Sequence, residues 1–176
     1  MKLEKLEDYV ITIPDFPVPG IMFRDVTGIL NDADGIEMAI DQICEQLEDI
    51  DFDVIMGPES RGFIFGMPVA YKMHKSFVPV RKPGKLPREV ISREYALEYG
   101  TAKIEIHKDS IKPGQKVVII DDLAATGGTL KAVIELAEEL GGEVVRIVTV
   151  MELAGLEPQK AVEGYDLRSI IRYEGK

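Results

Sequence analysis

The chain has 176 residues, 45% of them hydrophobic and 30% charged, and we expect residues 1–176 to form one globular domain with a sizeable core. The net charge of −10 disfavours non-specific binding of nucleic acid, which requires a basic face. No run approaches the roughly 18 apolar residues of a membrane span, and the opening residues lack the unbroken apolar stretch of a signal peptide. These observations lead us to expect no nucleic-acid or membrane partner. Because the one cysteine, Cys44, has no internal disulfide partner, we expect a cytoplasmic protein.

The first part of the chain predicts an extended arm followed by a helix. Residues 9–20 contain three prolines and one glycine, which favours extended backbone. Apolar residues then recur at helical spacing over 34–49, and Asp34 is placed to cap the amino end of this helix. The residues predicted to face the core are Ile36, Ile40, Ile43 and Leu47.

A basic segment interrupts the acidic chain after two predicted strands, 54–57 and 77–80, and a predicted helix over 61–73. Residues 81–93, RKPGKLPREVISR, hold five Lys or Arg and one Glu, a net charge of +4. This concentration favours contact with an anionic small ligand, and a solvated surface loop is the alternative. Its prolines predict a mobile loop, and the imperfect alternation over 94–107 predicts a hairpin after it.

The rest of the chain predicts a strand at 117–120, a helix from about 128 to 140 and a strand at 144–152. Strands that alternate with helices indicate an α/β fold, with a mostly parallel central sheet flanked by helices. In such sheets ligands bind at the carboxyl ends of the strands. The loops that follow 54–57, 77–80 and 117–120 are therefore expected to converge on one site.

The stretch VVIIDDLAATGGT, residues 117–129, joins two carboxylates to a glycine-rich helix start. Asp121 and Asp122 are suited to accept hydrogen bonds from the hydroxyls of a sugar, and the alternative is that they end a strand and cap a turn. Residues 125–129, here called the phosphate loop, open a helix whose unpaired N–H groups and dipole attract an anion. The sequence contains neither GxxxxGK[ST] nor GxGxxG, so a phosphate monoester is favoured over a nucleotide polyphosphate.

The stretch 117–129 resembles the phosphoribosyl-pyrophosphate signature of the type I phosphoribosyltransferases. The stretches FPVPGIMFRDVTGIL (16–30), GPESRGFIFG (57–66), VPVRKPGKLP (78–87) and EYALEYGTAKIEIHKDSIKPGQ (94–115) are similar to the members of that family that use adenine. This resemblance implies purine salvage: adenine and phosphoribosyl pyrophosphate give AMP and pyrophosphate through an oxocarbenium-like transition state. It also implies a homodimer and a base-binding segment within residues 1–30.

The resemblance assigns roles to individual residues. The residues implied to bind the ribose and its 5′-phosphate are Asp121, Asp122, Ala125, Thr126, Gly127, Gly128 and Thr129. Those implied to bind the pyrophosphate are Glu59, Ser60, Arg61, Arg81, Lys82, Lys85 and Tyr99, with a cis peptide bond between Glu59 and Ser60. Those implied to bind adenine are Phe23, Arg24, Leu123 and Leu153. Glu98 is the catalytic acid or base near adenine N7, within a flexible hood (residues 81–100).

The resemblance also implies Mg²⁺, held mainly by the substrate, with Asp121 and Asp122 contacting it through water. Two alternatives to the adenine enzyme stay open: a relative that uses xanthine, hypoxanthine or guanine, and a regulator that only senses phosphoribosyl pyrophosphate. The chain departs from the family at Ala124, where a larger apolar residue is usual. The smaller side chain is expected to loosen the packing beneath the base or to alter base selectivity slightly.

Overall fold

The computed structural model describes residues 3–97 and 100–175. In chain order the elements are β1 (Ile11–Pro14), β2 (Met22–Asp25), α1 (Thr27–Leu30), α2 (Ala33–Glu45), β3 (Val54–Pro58), α3 (Arg61–Lys72), β4 (Ser76–Val80), β5 (Val90–Ala96), β6 (Thr101–His107), β7 (Lys116–Ala124), α4 (Gly128–Glu139), β8 (Glu143–Leu153), α5 (Pro158–Ala161) and β9 (Leu167–Tyr173). No helix among the described residues is long and apolar enough to cross a membrane.

Five parallel strands form the central sheet, in the order β4-β3-β7-β8-β9. Helices α2 and α3 cover one face and α4 covers the other, so β7 alternates its apolar side chains between two cores. The predicted mostly parallel α/β fold is confirmed. Strand β9 was not predicted, because the arginines at 168 and 172 hide the apolar pattern of an edge strand.

The amino-terminal arm is a strand pair and not a single extended segment. β1 runs antiparallel to β2, with Ile11 opposite Asp25. At helix α2, the prediction that Asp34 is the amino-terminal cap is wrong. Asp32 has the extended backbone of a cap, and its carboxylate accepts a hydrogen bond of 2.9 Å from the N–H of Asp34. Ile36, which was expected to face the core, is exposed.

The basic segment is partly a strand, which corrects the prediction of a loop over 81–93. β5 begins at Val90 and pairs with β6 in an antiparallel hairpin, with Val90 opposite His107. The β-branched side chains of Val90 and Ile91 favour this strand, but their partners lie some 15 residues further along the chain, and short-range patterns do not show them. A bridge between Arg81 and Glu105, with hydrogen bonds of 2.9 and 2.7 Å, joins the start of the segment to β6.

Candidate functional site

A cavity of about 410 Å³, here called the larger cavity, opens at the carboxyl end of the sheet. Its walls are residues 58–61, Tyr95, residues 121–123 and residues 125–130. Two of the three predicted loops therefore meet there. The third does not reach it: Lys82 lines a neighbouring side cavity of about 240 Å³, which shares Pro58, Glu59, Tyr95 and Thr129 with the larger cavity.

Asp121 and Asp122 lie within β7, which continues to Ala124 instead of ending at the predicted residue 120. Both carboxylates are buried. The N–H of Asp122 donates to Oδ1 of Asp121 at 2.8 Å, and Nε of Arg61 lies 2.5 Å from Oδ2 of Asp122. Burial raises the pKa of Asp121 well above its usual range, and the neighbouring Asp122 carboxylate raises this pKa further. Asp122 is thus the carboxylate with a cationic partner.

The close approach of α3 to β7 brings Arg61 to Asp122. A Cβ on Gly62 would lie 2.7 Å from Cδ of Pro58 and 3.2 Å from Oδ1 of Asp121, so only glycine fits at this position. Arg61, the first residue of α3, is thereby held over the carboxylates while its side chain stays half exposed.

The phosphate loop turns at Gly127, whose φ of +83° lies in the left-handed region that favours glycine. Gly127 rests on α5: a Cβ there would lie 2.7 Å from Cβ of Ala161 and 3.0 Å from the carbonyl oxygen of Pro158. α4 begins at the next residue, and the first turn of a helix leaves N–H groups without partners inside the helix. These N–H groups and the hydroxyls of Thr126 and Thr129 border the larger cavity, an arrangement suited to an anion.

The peptide bond between Glu59 and Ser60 is cis, as the resemblance implied. Oε1 of Glu59 accepts hydrogen bonds from the N–H of Lys82 at 2.6 Å and from Nε of Arg81 at 3.3 Å. The hydrogen bond from Lys82, aided by the charge of Arg81, holds the pKa of Glu59 below its usual value. The carboxylate therefore secures the start of the basic segment, while Lys85 is exposed outside the larger cavity.

A second cavity of about 130 Å³, here called the smaller cavity, adjoins the first. Phe23, Arg24, Leu123 and Leu153, the residues predicted to contact adenine, all line it. The other lining residues are Ile21, Met22, Asp25, Val26, Arg61, Asp122 and Met151. The walls are thus mainly apolar, with a few polar groups, as in most sites for small-molecule ligands.

The arginine of the smaller cavity is fixed by contacts outside it. Nη1 of Arg24 donates to the hydroxyl of Thr12 at 2.5 Å, and its guanidinium carbon lies 4.3 Å from the centre of the Tyr173 ring. Phe23 packs edge-on against Phe16, with ring centres 5.1 Å apart. The arm therefore holds the backbone of β2 in place along the cavity.

Arg61, Asp122 and Leu123 line both cavities. The two cavities therefore share one wall. This wall between the cavities was not predicted from the sequence, since Arg61 was assigned to the pyrophosphate alone.

Several predicted or relevant residues lie elsewhere. Glu98 and Tyr99 fall outside the described residues. Ala124 is fully buried in the core on the α4 side and does not line the smaller cavity, so it is not placed to alter base selectivity. Tyr95 and Met151 line the cavities but were not singled out, because an isolated tyrosine or methionine in a strand carries no motif. In residues 3–97 and 100–175, no group of three or more His, Cys, Asp or Glu side chains could hold a metal ion.

Comparison with known proteins identifies the family of the chain. A model of the phosphoribosyl transferase domain matches residues 26–173. A relative named adenine phosphoribosyltransferase, from Lachnoclostridium phytofermentans, is 64% identical over 174 residues, 99% of this chain and 100% of the relative.

Two solved structures extend the comparison. The crystal structure of adenine phosphoribosyltransferase from Thermoanaerobacter pseudethanolicus superposes with a TM-score of 0.92 at 50% identity, covering 96% of this chain and 98% of that chain. The enzyme of the same name from Saccharomyces cerevisiae, crystallised with adenine and an imino-altritol bisphosphate, gives a TM-score of 0.87 at 36% identity, with 94% and 96% covered. The likeness therefore spans nearly the whole chain, including both cavities.

Proposed function

The chain belongs to the phosphoribosyltransferase family, and we propose that it transfers the phosphoribosyl group of phosphoribosyl pyrophosphate to adenine, giving AMP and pyrophosphate in purine salvage. The observation that carries this proposal is the wall of three residues common to the two cavities. It joins a polar site with an anion-binding helix start to a mainly apolar site. Such a pair suits a sugar phosphate and a purine that must meet end to end.

The larger cavity takes the ribose 5-phosphate. The phosphate loop offers N–H groups and two threonine hydroxyls to the 5′-phosphate. Asp122, which pairs with Arg61, accepts hydrogen bonds from the ribose hydroxyls, and the carboxylate of Asp121 accepts a hydrogen bond from the N–H of Asp122. The bound sugar then directs C1′ toward the common wall.

The smaller cavity takes adenine. Phe23 and Leu153 provide apolar surface for the base, and Leu123 lies beside the ribose site. The backbone on either side of Arg24 supplies hydrogen-bonding groups to the edge of the base. β8 contributes only apolar side chains, Met151 and Leu153, to this cavity, which favours a purine without a 6-oxo group over xanthine, hypoxanthine or guanine.

In the reaction, the bond between C1′ and the pyrophosphate oxygen breaks and a bond forms between C1′ and adenine N9. As N9 bonds to C1′, adenine gives up its imidazole-ring proton at N7, and the carboxylate of Glu98 accepts it. Ser60, Arg61, Arg81, Lys82, Lys85 and Tyr99 bind the leaving pyrophosphate, in part through backbone N–H groups after Glu59. Their charge stabilises the developing anion, and the hood (residues 81–100) keeps water away from the oxocarbenium-like centre.

Magnesium fits this site as an ion carried by the substrate. Mg²⁺ keeps several waters and usually takes one or two carboxylates in addition to substrate phosphates. The donors that the larger cavity offers are hard carboxylate oxygens, and Asp121 and Asp122 would hold the ion through water. When bound, the ion supplies charge neutralisation for the leaving group.

We propose a homodimer that forms through α3. Ile64, Met67 and Tyr71 form an exposed apolar stripe on this helix, and Tyr71 is 84% exposed. A second copy of the chain is the occupant that we propose for this stripe, because the family resemblance implies a homodimer. Light scattering of the wild-type protein is expected to give twice the chain mass, and Met67→Glu the mass of one chain, with Val18→Glu on the β1–β2 loop as the control. A wild-type monomer would contradict this assembly.

We place the enzyme in the cytoplasm, where its single thiol, Cys44, stays reduced.

The decisive experiment is a panel of bases with phosphoribosyl pyrophosphate and Mg²⁺, in which formation of the nucleotide is measured. We expect adenine to react with the highest kcat/KM. Faster reaction of hypoxanthine or guanine would assign the chain to the 6-oxopurine enzymes. Binding of phosphoribosyl pyrophosphate without turnover of any base would make the chain a sensor.

A further inference from the structure

Strand β5, which leads toward Glu98, lies along α4, the helix that begins with the phosphate loop. At the far end of α4, the Arg93 guanidinium lies 3.3 Å from Oε2 of Glu135 and 2.7 Å from Oε2 of Glu139. At the near end, a Cβ on Gly128 would lie 3.4 Å from the carbonyl oxygen of Ala96. The strand therefore contacts both ends of the helix.

Tyr95 is the side chain of β5 that reaches the amino end of α4. Its Cδ2 atom would lie 3.7 Å from a Cβ on Gly128, and its ring packs against the core on the α4 side. Tyr95 and Thr129 together line both the larger cavity and the side cavity. The ring thus borders the place where the 5′-phosphate is proposed to bind.

From these contacts we propose that Tyr95 is a positioning residue, whose ring transmits occupancy of the phosphate loop to the segment that carries Glu98. This inference rests on the proposed function. Glu98 follows Tyr95 by three residues, at most about 11 Å along the chain. A phosphate bound to the phosphate loop favours one position of the Tyr95 ring above it. By reciprocity, a ring held in that position strengthens the binding of the phosphate.

Tyr95 borders the larger cavity, but no polar group of its side chain is assigned to a substrate. Among the described residues its hydroxyl has no hydrogen-bond partner, so the ring is the part of the side chain that makes the contacts. Removal of the ring is therefore expected to lower turnover more than it weakens the binding of adenine, which occupies the smaller cavity that Tyr95 does not line.

The kinetic test compares Tyr95→Ala with Tyr95→Phe. We expect Tyr95→Ala to lower kcat about tenfold, as misplacement of a catalytic group does, with the KM for adenine changed less than about twofold. Tyr95→Phe, which keeps the ring, is expected to restore most of the wild-type kcat. If Tyr95→Ala keeps the wild-type kcat, or if Tyr95→Phe is as slow as Tyr95→Ala, the proposal is overturned.

A second test does not depend on turnover. Hydrogen exchange of the backbone amides of residues 94–101 is measured with and without ribose 5-phosphate, at concentrations that calorimetry shows to be saturating. We expect the ligand to slow exchange in the wild type and in Tyr95→Phe but not in Tyr95→Ala or Tyr95→Leu. Equal slowing in all four proteins overturns the proposal, whereas failure of the wild type to make AMP overturns the proposed function instead.

Discussion

The larger and the smaller cavity differ in how the chain builds them. Apart from Tyr95, the larger cavity comes from two short stretches, residues 58–61 and 121–130, each at the carboxyl end of a central strand. The smaller cavity joins the stretch 21–26, on and around β2, to one or two residues each from α3, β7 and β8, and the sequence separates these four parts widely. The site proposed for the sugar phosphate therefore consists mainly of continuous motifs, whereas the site proposed for the base forms only after the sheet and the arm have assembled.

The two cavities also differ in the groups that meet the ligand. The larger one presents backbone N–H groups and carboxylates, which recognise charge and hydroxyls whatever the neighbouring side chains are. The smaller one presents the apolar side chains of Phe23, Leu123 and Leu153, and how well a ligand packs against them depends on its shape. Variants that weaken one substrate and spare the other test this division.

The largest effect is expected at Asp122, which belongs to both cavities. Asp122→Ala removes a charged hydrogen-bond acceptor and leaves Arg61 unpaired, so we expect the KM for phosphoribosyl pyrophosphate to rise about 100-fold. The KM for adenine should rise as well, by a smaller factor. Steady-state kinetics measures both values, with Asp109→Ala, which breaks an exposed surface pair with Arg88, as the control. An effect on adenine alone would disprove the assignment of Asp122 to the sugar.

A smaller effect, confined to the sugar phosphate, is expected at Gly127. Gly127→Ala adds left-handed strain of about 1–2 kcal/mol and a clash with Ala161 of α5. We expect the KM for phosphoribosyl pyrophosphate to rise about tenfold, with the KM for adenine unchanged. Gly164→Ala is a matched control, because Gly164 has a φ of +91° and open space around its Cβ position. If both variants raise this KM equally, the seat of Gly127 on α5 has no part in binding.

A still smaller effect, confined to the base, is expected at Leu153. Leu153→Ala removes apolar surface from the smaller cavity, so the KM for adenine should rise about fivefold, the loss expected for about 1 kcal/mol of contact. The KM for phosphoribosyl pyrophosphate should stay the same. Leu156→Ala, in the 3-10 turn that follows and outside the cavity, is the control. A rise in the KM for phosphoribosyl pyrophosphate alone would show that Leu153 contacts that substrate and not adenine.

The smallest effect concerns stability and comes from Asp121. The pKa of Asp121 is raised in the folded chain, chiefly by burial. Ionisation of this carboxyl is therefore less favourable in the folded state than in the unfolded state, and it lowers the free energy of unfolding. The wild type therefore loses stability as the pH rises from about 4, the ordinary value of the unfolded carboxyl, through the folded pKa. We expect Asp121→Asn to raise the Tm by a few degrees at pH 7, a gain that calorimetry should find absent near pH 4. A Tm difference that does not change with pH would contradict this account.

The same division explains what the sequence could predict. The strand, carboxylates and phosphate loop of 117–129 are consecutive, and short-range patterns found them. The hairpin predicted over 94–107 is present, and the prediction failed where contacts join more distant residues. Residues 90–93 of β5 were read as part of a loop, since their pairing with β6 lies beyond local patterns. The strand of Asp121 and Asp122 was ended too early because its pairing with β8 continues to Ala124. Cavity residues such as Tyr95 and Met151 gave no signal, because only the fold brings them to the ligand.

The wall formed by Arg61, Asp122 and Leu123 has a consequence for inhibitors. Because one set of side chains serves both cavities, a single compound that joins a purine to a sugar phosphate can occupy both without a long linker. Each half then holds the other at a high effective concentration, so the joined compound binds far more tightly than either part. Selectivity among enzymes with this fold would come from the purine half, since the phosphate loop is read mainly through backbone.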